Sequence, residues 1–335
     1  MSQFDVEFAY LLIWMSIFIY SILASLDLGS GFFYLISYLT PGWESVRRAF
    51  LSYSSARWES TNTFFVFIVV AGASYFPPMA DVIATGWIVP ISIVLVLFMV
   101  RAAFLVYSYY STRKSTLFLV IYTVAGLLIL PAMSLIISGA TLNVTHISFL
   151  PATGTYSVSV DYAFLFSNPV TYLILLTAFF GQLMVSGAFN LFYDKDKHNA
   201  PFYARYTKVA SIVTFATLVA EFQLYYPYAK YVFEHLLSNV GYIAASGVLF
   251  LVFLTFLFSR RYGVGMFVVL LASMVAGFAG LGLARFPYVI YPSPTAYTAF
   301  TDYASFSLLT YTFFAALVLL IPSLYFLNRM FRYPA

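Results

Sequence analysis

Asp27, Glu59, Arg101 and Glu221 are the four ionisable side chains that fall inside, or at the edge of, long apolar runs of this chain. A charge in hydrocarbon is costly, so such residues face an interior, a cavity or an opposite charge, and they are natural seats of proton transfer or ion pairing. Asp27 lies late in the first run and Arg101 late in the third. At ~1.5 Å of rise per residue, Asp27 sits roughly 16 Å from the end of its run and Arg101 roughly 13 Å from the end of its own, so an ion pair between them is geometrically open. Glu59 opens the second run beside Arg57 and Trp58. One reading of this group is a hydrated acid chain that admits protons. The plainer reading is a buried charge pair plus a glutamate at a helix start, stabilised by the positive N-terminal dipole. Glu221 stands apart, thirteen residues beyond Lys208, with Gln223 near it. It suits a partner subunit, a quinone or ion cavity, or a protonated carboxyl bonded to a neighbouring helix.

The elements that must position these side chains are long and apolar. Charged residues make up 8% of the chain and hydrophobic ones 62%, with a mean hydropathy of +0.91; a soluble domain carries roughly 25% charge. Nine runs approach or exceed the ~20 residues that span a bilayer as helix: about Phe8–Tyr38, Thr61–Met79, Gly86–Tyr110, Ser115–Ser138, Ser167–Phe192, Thr207–Lys230, Gly241–Phe258, Gly265–Ala284 and Ser305–Leu327. The first is too long for a simple span and is expected to continue past the membrane surface. The runs are continuously apolar, whereas a β-barrel needs short alternating strands, so helices are expected. The fold class is therefore all-α: one integral membrane domain over residues 1–335 with nine transmembrane helices. Asp5 and Glu7 occupy the place of a basic leader region, so no cleavable signal peptide is expected.

Basic residues set the topology. Thirteen of the sixteen Lys and Arg residues fall in every second gap: Arg47, Arg48 and Arg57; Arg113 and Lys114; Lys195, Lys197, Arg205 and Lys208; Arg260 and Arg261; Arg329 and Arg332. The opposite side has only Lys230 and Arg285, and Arg101 lies inside a run. The positive-inside rule then puts the N-terminus outside and the C-terminus inside. The net charge of +4 reports orientation and not nucleic-acid binding.

Several chemistries are excluded or left without candidates. The chain has no cysteine, which removes disulfides, Cys-ligated zinc and iron–sulfur clusters within it. His146, His198 and His235 lie in loops or at helix ends, so buried bis-histidine haem ligation has no candidate pair. Methionine can serve as an axial ligand, but nine scattered Met residues read as packing. No P-loop, dinucleotide fingerprint, zinc-protease helix or nucleophile elbow occurs. A stripe of Ala272, Ala276, Gly280 and Ala284, with Gly277 and Gly282 beside it, reads as close helix packing. The long loop Gly139–Phe166 carries no Lys or Arg, and the loop Arg285–Asp302 reads as an ordered interfacial cap.

A set of short motifs runs in order along nearly the whole chain. Leu26-Asp27-Leu28-Gly29-Ser30-Gly31-Phe32 ends the first run, and Arg47-Arg48-Ala49 precedes Arg57-Trp58-Glu59. Ala71-Gly72-Ala73 leads to Phe76-Pro77, Arg101 follows in the third run, and Ser186-Gly187-Ala188 lies in the fifth. Gly282 through Phe286-Pro287 and Pro292-Ser293 precede the last run. Together they resemble subunit II of cytochrome bd-type quinol oxidases, a nine-helix protein. The resemblance implies a haem-free membrane subunit of a complex that oxidises quinol and reduces O2 to water, in the plasma membrane of a prokaryote. It implies no complete active site in this chain, haems b and d on a partner subunit I, and protons taken from the inside through Asp27 and Glu59. Arg57, Trp58, Arg101 and Glu221 would be supporting charges and structure. A structural quinone, lipid and small single-helix subunits are further partners it allows. Three positions depart from the pattern. Ala24 and Val106 stand where the family places acids, and Ser60-Thr61-Asn62 displaces its asparagine by one. Two other readings remain at this point. One is a secondary transporter or channel, although Pro90, Pro131, Pro227 and Pro322 lie mostly near run ends. The other is a quinone-interacting anchor of a different respiratory oxidoreductase.

Overall fold

Backbone N–H and C=O groups find no partner in hydrocarbon, so a chain made of apolar runs folds as helices that satisfy themselves. In the computed structural model, which describes residues 3–51, 54–110, 116–150, 155–291 and 294–331, nearly every run is such a helix. In chain order the elements are α1 (Gln3–Leu28), α2 (Ser30–Leu39), α3 (Glu44–Leu51), α4 (Ser54–Tyr75), α5 (Pro77–Gly86), α6 (Ile88–Tyr110) and α7 (Thr116–Leu142). Then come strands β1 (Thr145–Leu150) and β2 (Thr155–Val160), α8 (Tyr162–Ser167), α9 (Pro169–Tyr193), α10 (Ala200–Tyr228), α11 (Lys230–Ser238), α12 (Val240–Phe258), α13 (Val264–Arg285), α14 (Ala296–Ala299) and α15 (Tyr303–Phe331).

Among the described residues seven helices are long and apolar enough to cross a membrane, or eight if the bent pair α4–α5 is one span. The ninth run corresponds to α15, whose described apolar stretch is Tyr303–Leu319. Three expectations change. The run Thr61–Met79 is not one helix: α4 ends at Tyr75 and α5 leaves it at 119°. Pro77 and Pro78 remove two backbone donors and push Phe76 out of helical geometry, so the chain turns there and restarts with proline in the first helical turn. The loop Gly139–Phe166 is not irregular: β1 and β2 pair antiparallel, Thr145 with Val160 through Leu150 with Thr155. The class is thus helical with one small hairpin. Pro131 sits in the middle of α7, not near its end.

The first run is one 37-residue span, Gln3–Leu39, interrupted at Gly29. A Cβ there would lie 2.6 Å from the Gln182 carbonyl of α9 and 2.7 Å from that of Ser25, so only glycine lets α1 and α9 touch backbone to backbone. The spans form two groups: α1, α4, α6 and α7 pack together, as do α9, α10, α12 and α13, and α1 and α7 both lean on α9. In the α12–α13 pair, Ser246 and Ser273 each donate to the other's carbonyl, at 2.9 and 2.8 Å. Gly277 and Gly280 lie against Ser246 and Ile243, so the small-residue stripe is packing. At one end α5, the hairpin and α14 cap the bundle; Gly86 is seated against Val158 of β2. Helix α3 with Arg47 and the turns bearing Lys195, Lys197 and Arg260 form the other, basic end.

Candidate functional site

Asp27 and Arg101 meet inside the first helix group, 2% and 1% exposed. Arg101 Nη2 donates to Asp27 Oδ1 at 2.8 Å and to the Tyr122 hydroxyl of α7 at 3.0 Å. The guanidinium carbon lies 5.0 Å from the Tyr122 ring centroid, so the same tyrosine supplies an acceptor and a π-face. Three helices thus hold the pair: α1 gives the acid, α6 the base and α7 the phenol.

Local sequence explains how they fit. Gly126 on α7 leaves room for the arginine: a Cβ there would be 3.2 Å from Arg101 Nε. Gly31 likewise lies against Tyr122 and Thr123, and Thr123 Oγ1 donates to the Gly31 carbonyl at 3.2 Å. The segment Gly29-Ser30-Gly31 is therefore a double close approach, to α9 at Gly29 and to α7 at Gly31. Ser30 Oγ donates to the Asp27 carbonyl at 2.7 Å and ties the break to the acid.

The pair is not saturated. Asp27 Oδ2 and Arg101 Nη1 are buried and have no hydrogen-bond partner among the described residues. Buried polar atoms in this state are places where internal water is expected. A carboxylate oxygen facing such a space can receive a proton while its other oxygen stays bonded to the arginine. Arg57, Trp58 and Glu59 fall in the first turns of α4, and their side chains lie outside the described residues. Pro292-Ser293, Arg113 and Lys114 are outside them as well. Ala24, where an acid was absent from the pattern, is fully buried beside Leu28 and Phe64, and Val106 is half exposed on α6.

Glu221 is not part of this group. It lies on α10, 7% exposed, where Thr177 of α9 donates to Oε1 and the Tyr225 hydroxyl donates to Oε2 at 3.3 Å. Gln223 points elsewhere and is exposed. Arg285, read from sequence only as a charge outside the membrane, is 8% exposed and buried against α7, donating to the Ile137 carbonyl at 3.2 Å and to Thr141. Tyr122, Thr177, Tyr225 and the burial of Arg285 were missed from sequence. Tyr and Thr are too common here to be singled out, and only the packing of helices distant in sequence selects them.

The three histidines lie at the ends of the bundle. His146 is exposed on β1, and His198 stacks on Trp43 in the turn before α10. His235 sits on α11 with Nδ1 2.9 Å from the Tyr231 carbonyl. None lies in the apolar middle of a spanning helix. Among the described residues there is no group of three His, Cys, Asp or Glu side chains placed to hold a metal ion.

The chain is similar throughout to known proteins. The family model described as cytochrome bd terminal oxidase subunit II matches residues 6–331. A putative cytochrome bd menaquinol oxidase subunit II from Bacillus subtilis (strain 168) is 29% identical over 339 residues, covering 98% of this chain and 95% of that one. The bd oxidase structure from Geobacillus thermodenitrificans superposes with a TM-score of 0.85 at 26% identity, over 98% of this chain and 99% of that one. A match of this extent, on a bundle of apolar helices that carries the motifs in order, means that the chain belongs to the cytochrome bd terminal oxidase subunit II family and is an integral membrane subunit of a quinol oxidase.

Proposed function

We propose that this subunit is the haem-free scaffold of the oxidase and passes protons from the inner face toward the site of O2 reduction by way of Asp27. The observation that carries this reading is the Asp27–Arg101 pair, buried in the span with Asp27 Oδ2 unpartnered among the described residues. Arg101 lowers the cost of a carboxylate at that depth, and the second oxygen remains available to a proton. Glu59, at the start of α4, is the other acid at the basic ends of these helices and would load the path. Arg57 and Trp58 would fix that mouth, and Tyr122 would hold the arginine.

In this reading the chain is one membrane domain over residues 1–335 with nine spans, N-terminus outside and C-terminus inside, in the plasma membrane of a prokaryote. The basic turns at one end of the bundle support that orientation. Haems b and d and the quinol-oxidising site would sit on the partner subunit I, because this chain offers no histidine pair within a span. Small single-helix subunits, lipid or a structural quinone would take the large exposed apolar faces, such as Met99 on α6 and Tyr311 and Val318 on α15. Membership in the oxidase family replaces the transporter and oxidoreductase-anchor readings.

The test uses the complete oxidase in proteoliposomes. Quinol-driven proton uptake and O2 consumption are compared for the wild type and Asp27→Asn. Slowed uptake per assembled, haem-containing complex is expected; wild-type turnover per complex would remove Asp27 from the path.

A further inference from the structure

A cavity of about 230 Å3 opens at the basic end between the α9–α10 turn and the α12–α13 turn. Asp194, Asp196, Lys197 and Arg260 are charged residues on its wall, and the buried Asn190 and Tyr203 form its inner side. The Tyr203 hydroxyl donates to Asp194 Oδ2 at 3.2 Å. The cavity is therefore polar and adjoins the seam between α9 and α10.

From Tyr203 onward α10 carries Thr207, Ser211, Thr214 and Thr217, then Glu221 and Tyr225, all buried. Intervals of three and four residues put them on one helix face. That face lies against α9 at both ends. A Cβ on Gly187 would meet Thr207 Oγ1, and Thr177 Oγ1 lies 2.7 Å from Thr217 Oγ1 and within hydrogen-bond reach of Glu221, its single proton serving one of them at a time. The two contacts share one antiparallel register, so the whole row lies in the seam. From Tyr203 to Glu221 it covers about 27 Å of helix, against a hydrocarbon thickness of about 30 Å.

Each hydroxyl donates to a carbonyl about one turn back: Thr207 to Tyr203 at 2.7 Å, Ser211 to Thr207 at 2.7 Å, Thr214 to Ala210 at 2.8 Å and Thr217 to Thr214 at 3.0 Å. That leaves the lone pairs of Thr207, Ser211 and Thr214 for incoming donors, while Thr217 already faces the Thr177 hydroxyl. Successive side chains on such a face are about 5–6 Å apart, the gap that one water bridges. Helix packing alone accounts for small hydroxyls, but not for a carboxyl at the end of the row. Among the described residues no basic side chain pairs with Glu221. Its partners are Thr177 on α9 and Tyr225 on its own helix.

We propose that Glu221 is a protonatable site that exchanges protons with water at the basic end through the α9–α10 seam, along a route that shares no residue with the Asp27 site. Each hydroxyl along the row accepts a proton from the water on one side of it and releases its own to the water on the other. The net change is one proton added to, or removed from, the Glu221 carboxylate. The proposal stands or falls separately from the role given to Asp27.

The test follows the infrared C=O stretch of the protonated carboxyl that is present in the wild-type oxidase complex and lost in Glu221→Gln, on transfer from H2O to D2O. The band is expected to shift on deuteration in the wild type and at the same rate in Asp27→Asn. Thr214→Val is nearly isosteric, and alone or with Ser211→Ala it is expected to slow the shift at least about tenfold, with Thr214→Ser restoring it. Unchanged exchange in the assembled Thr214→Val complex would overturn the route. So would the absence of a Glu221-dependent band, or a band that never exchanges in the wild type.

Discussion

Arg101 Nη2 lies 2.8 Å from Asp27 Oδ1, although the two residues are 74 positions apart on helices that neither residue ends. Both are almost fully enclosed, so neither charge is solvated by bulk water. In such a site each charge is tolerable mainly because of the other, and removal of one partner leaves the other uncompensated.

Asp27→Asn and Arg101→Gln are each expected to destabilise the subunit by about 3–5 kcal/mol, and the double variant by clearly less than the sum. Thermal midpoints of the purified complex for the four species form the double-mutant cycle. Additive losses would mean that the pair does not act as a unit.

Tyr122→Phe removes the acceptor that Arg101 uses at 3.0 Å and keeps the ring beside the guanidinium. A loss of about 1.5–3 kcal/mol, typical of a hydrogen bond to a charged group, is expected. Tyr122→Leu, which also removes the π-face, should cost more by about 0.5–2 kcal/mol. The same thermal measurement ranks the two, and a reversed order would refute the double role of the ring.

Gly29→Ala places a methyl against two backbone carbonyls, which cannot swing aside as a side chain can. Assembled oxidase in membranes is expected to fall sharply. Gly181→Ala on α9, where a Cβ meets nothing within 4 Å, is the control and should assemble normally. Equal yields for the two would show that α1 and α9 adjust more freely than their contact suggests.

Glu59→Gln is expected to slow quinol-driven proton uptake by about 10²-fold or more if the acid loads the path, the scale of a lost proton-transfer group. Haem content and assembly should be unchanged. Uptake at the wild-type rate would leave Asp27 to be supplied by another entrance.

Much of the architecture follows from one-dimensional features. Apolar length made the spans recognisable, and sparse charge drew attention to Asp27, Arg101 and Glu221 because few residues can carry charge at that depth. Other features depended on local exceptions. Pro77 and Pro78 lie in plain sight, yet the apolar run continues through them to Met79, so hydropathy hides the 119° turn. The paired strands Thr145–Leu150 and Thr155–Val160 mix polar and apolar residues over only six positions each, too short to register beside long apolar helices. Arg285 looked like a surface charge because it ends a run, and only the approach of α7 encloses it.

The sequence by itself determined the environment, the helical class and the short list of intramembrane charges, since hydrophobic length and the cost of buried charge act along the chain. Only the tertiary structure decided which of those charges meet. It brought Asp27 to Arg101 and Tyr122, set Glu221 with Thr177 and Tyr225, and kept the two groups apart. The physical reason is that these contacts depend on helix rotation and close approach. Glycines at positions 29, 31, 126 and 187 permit that approach, and no periodicity in a single helix encodes what stands on the other side.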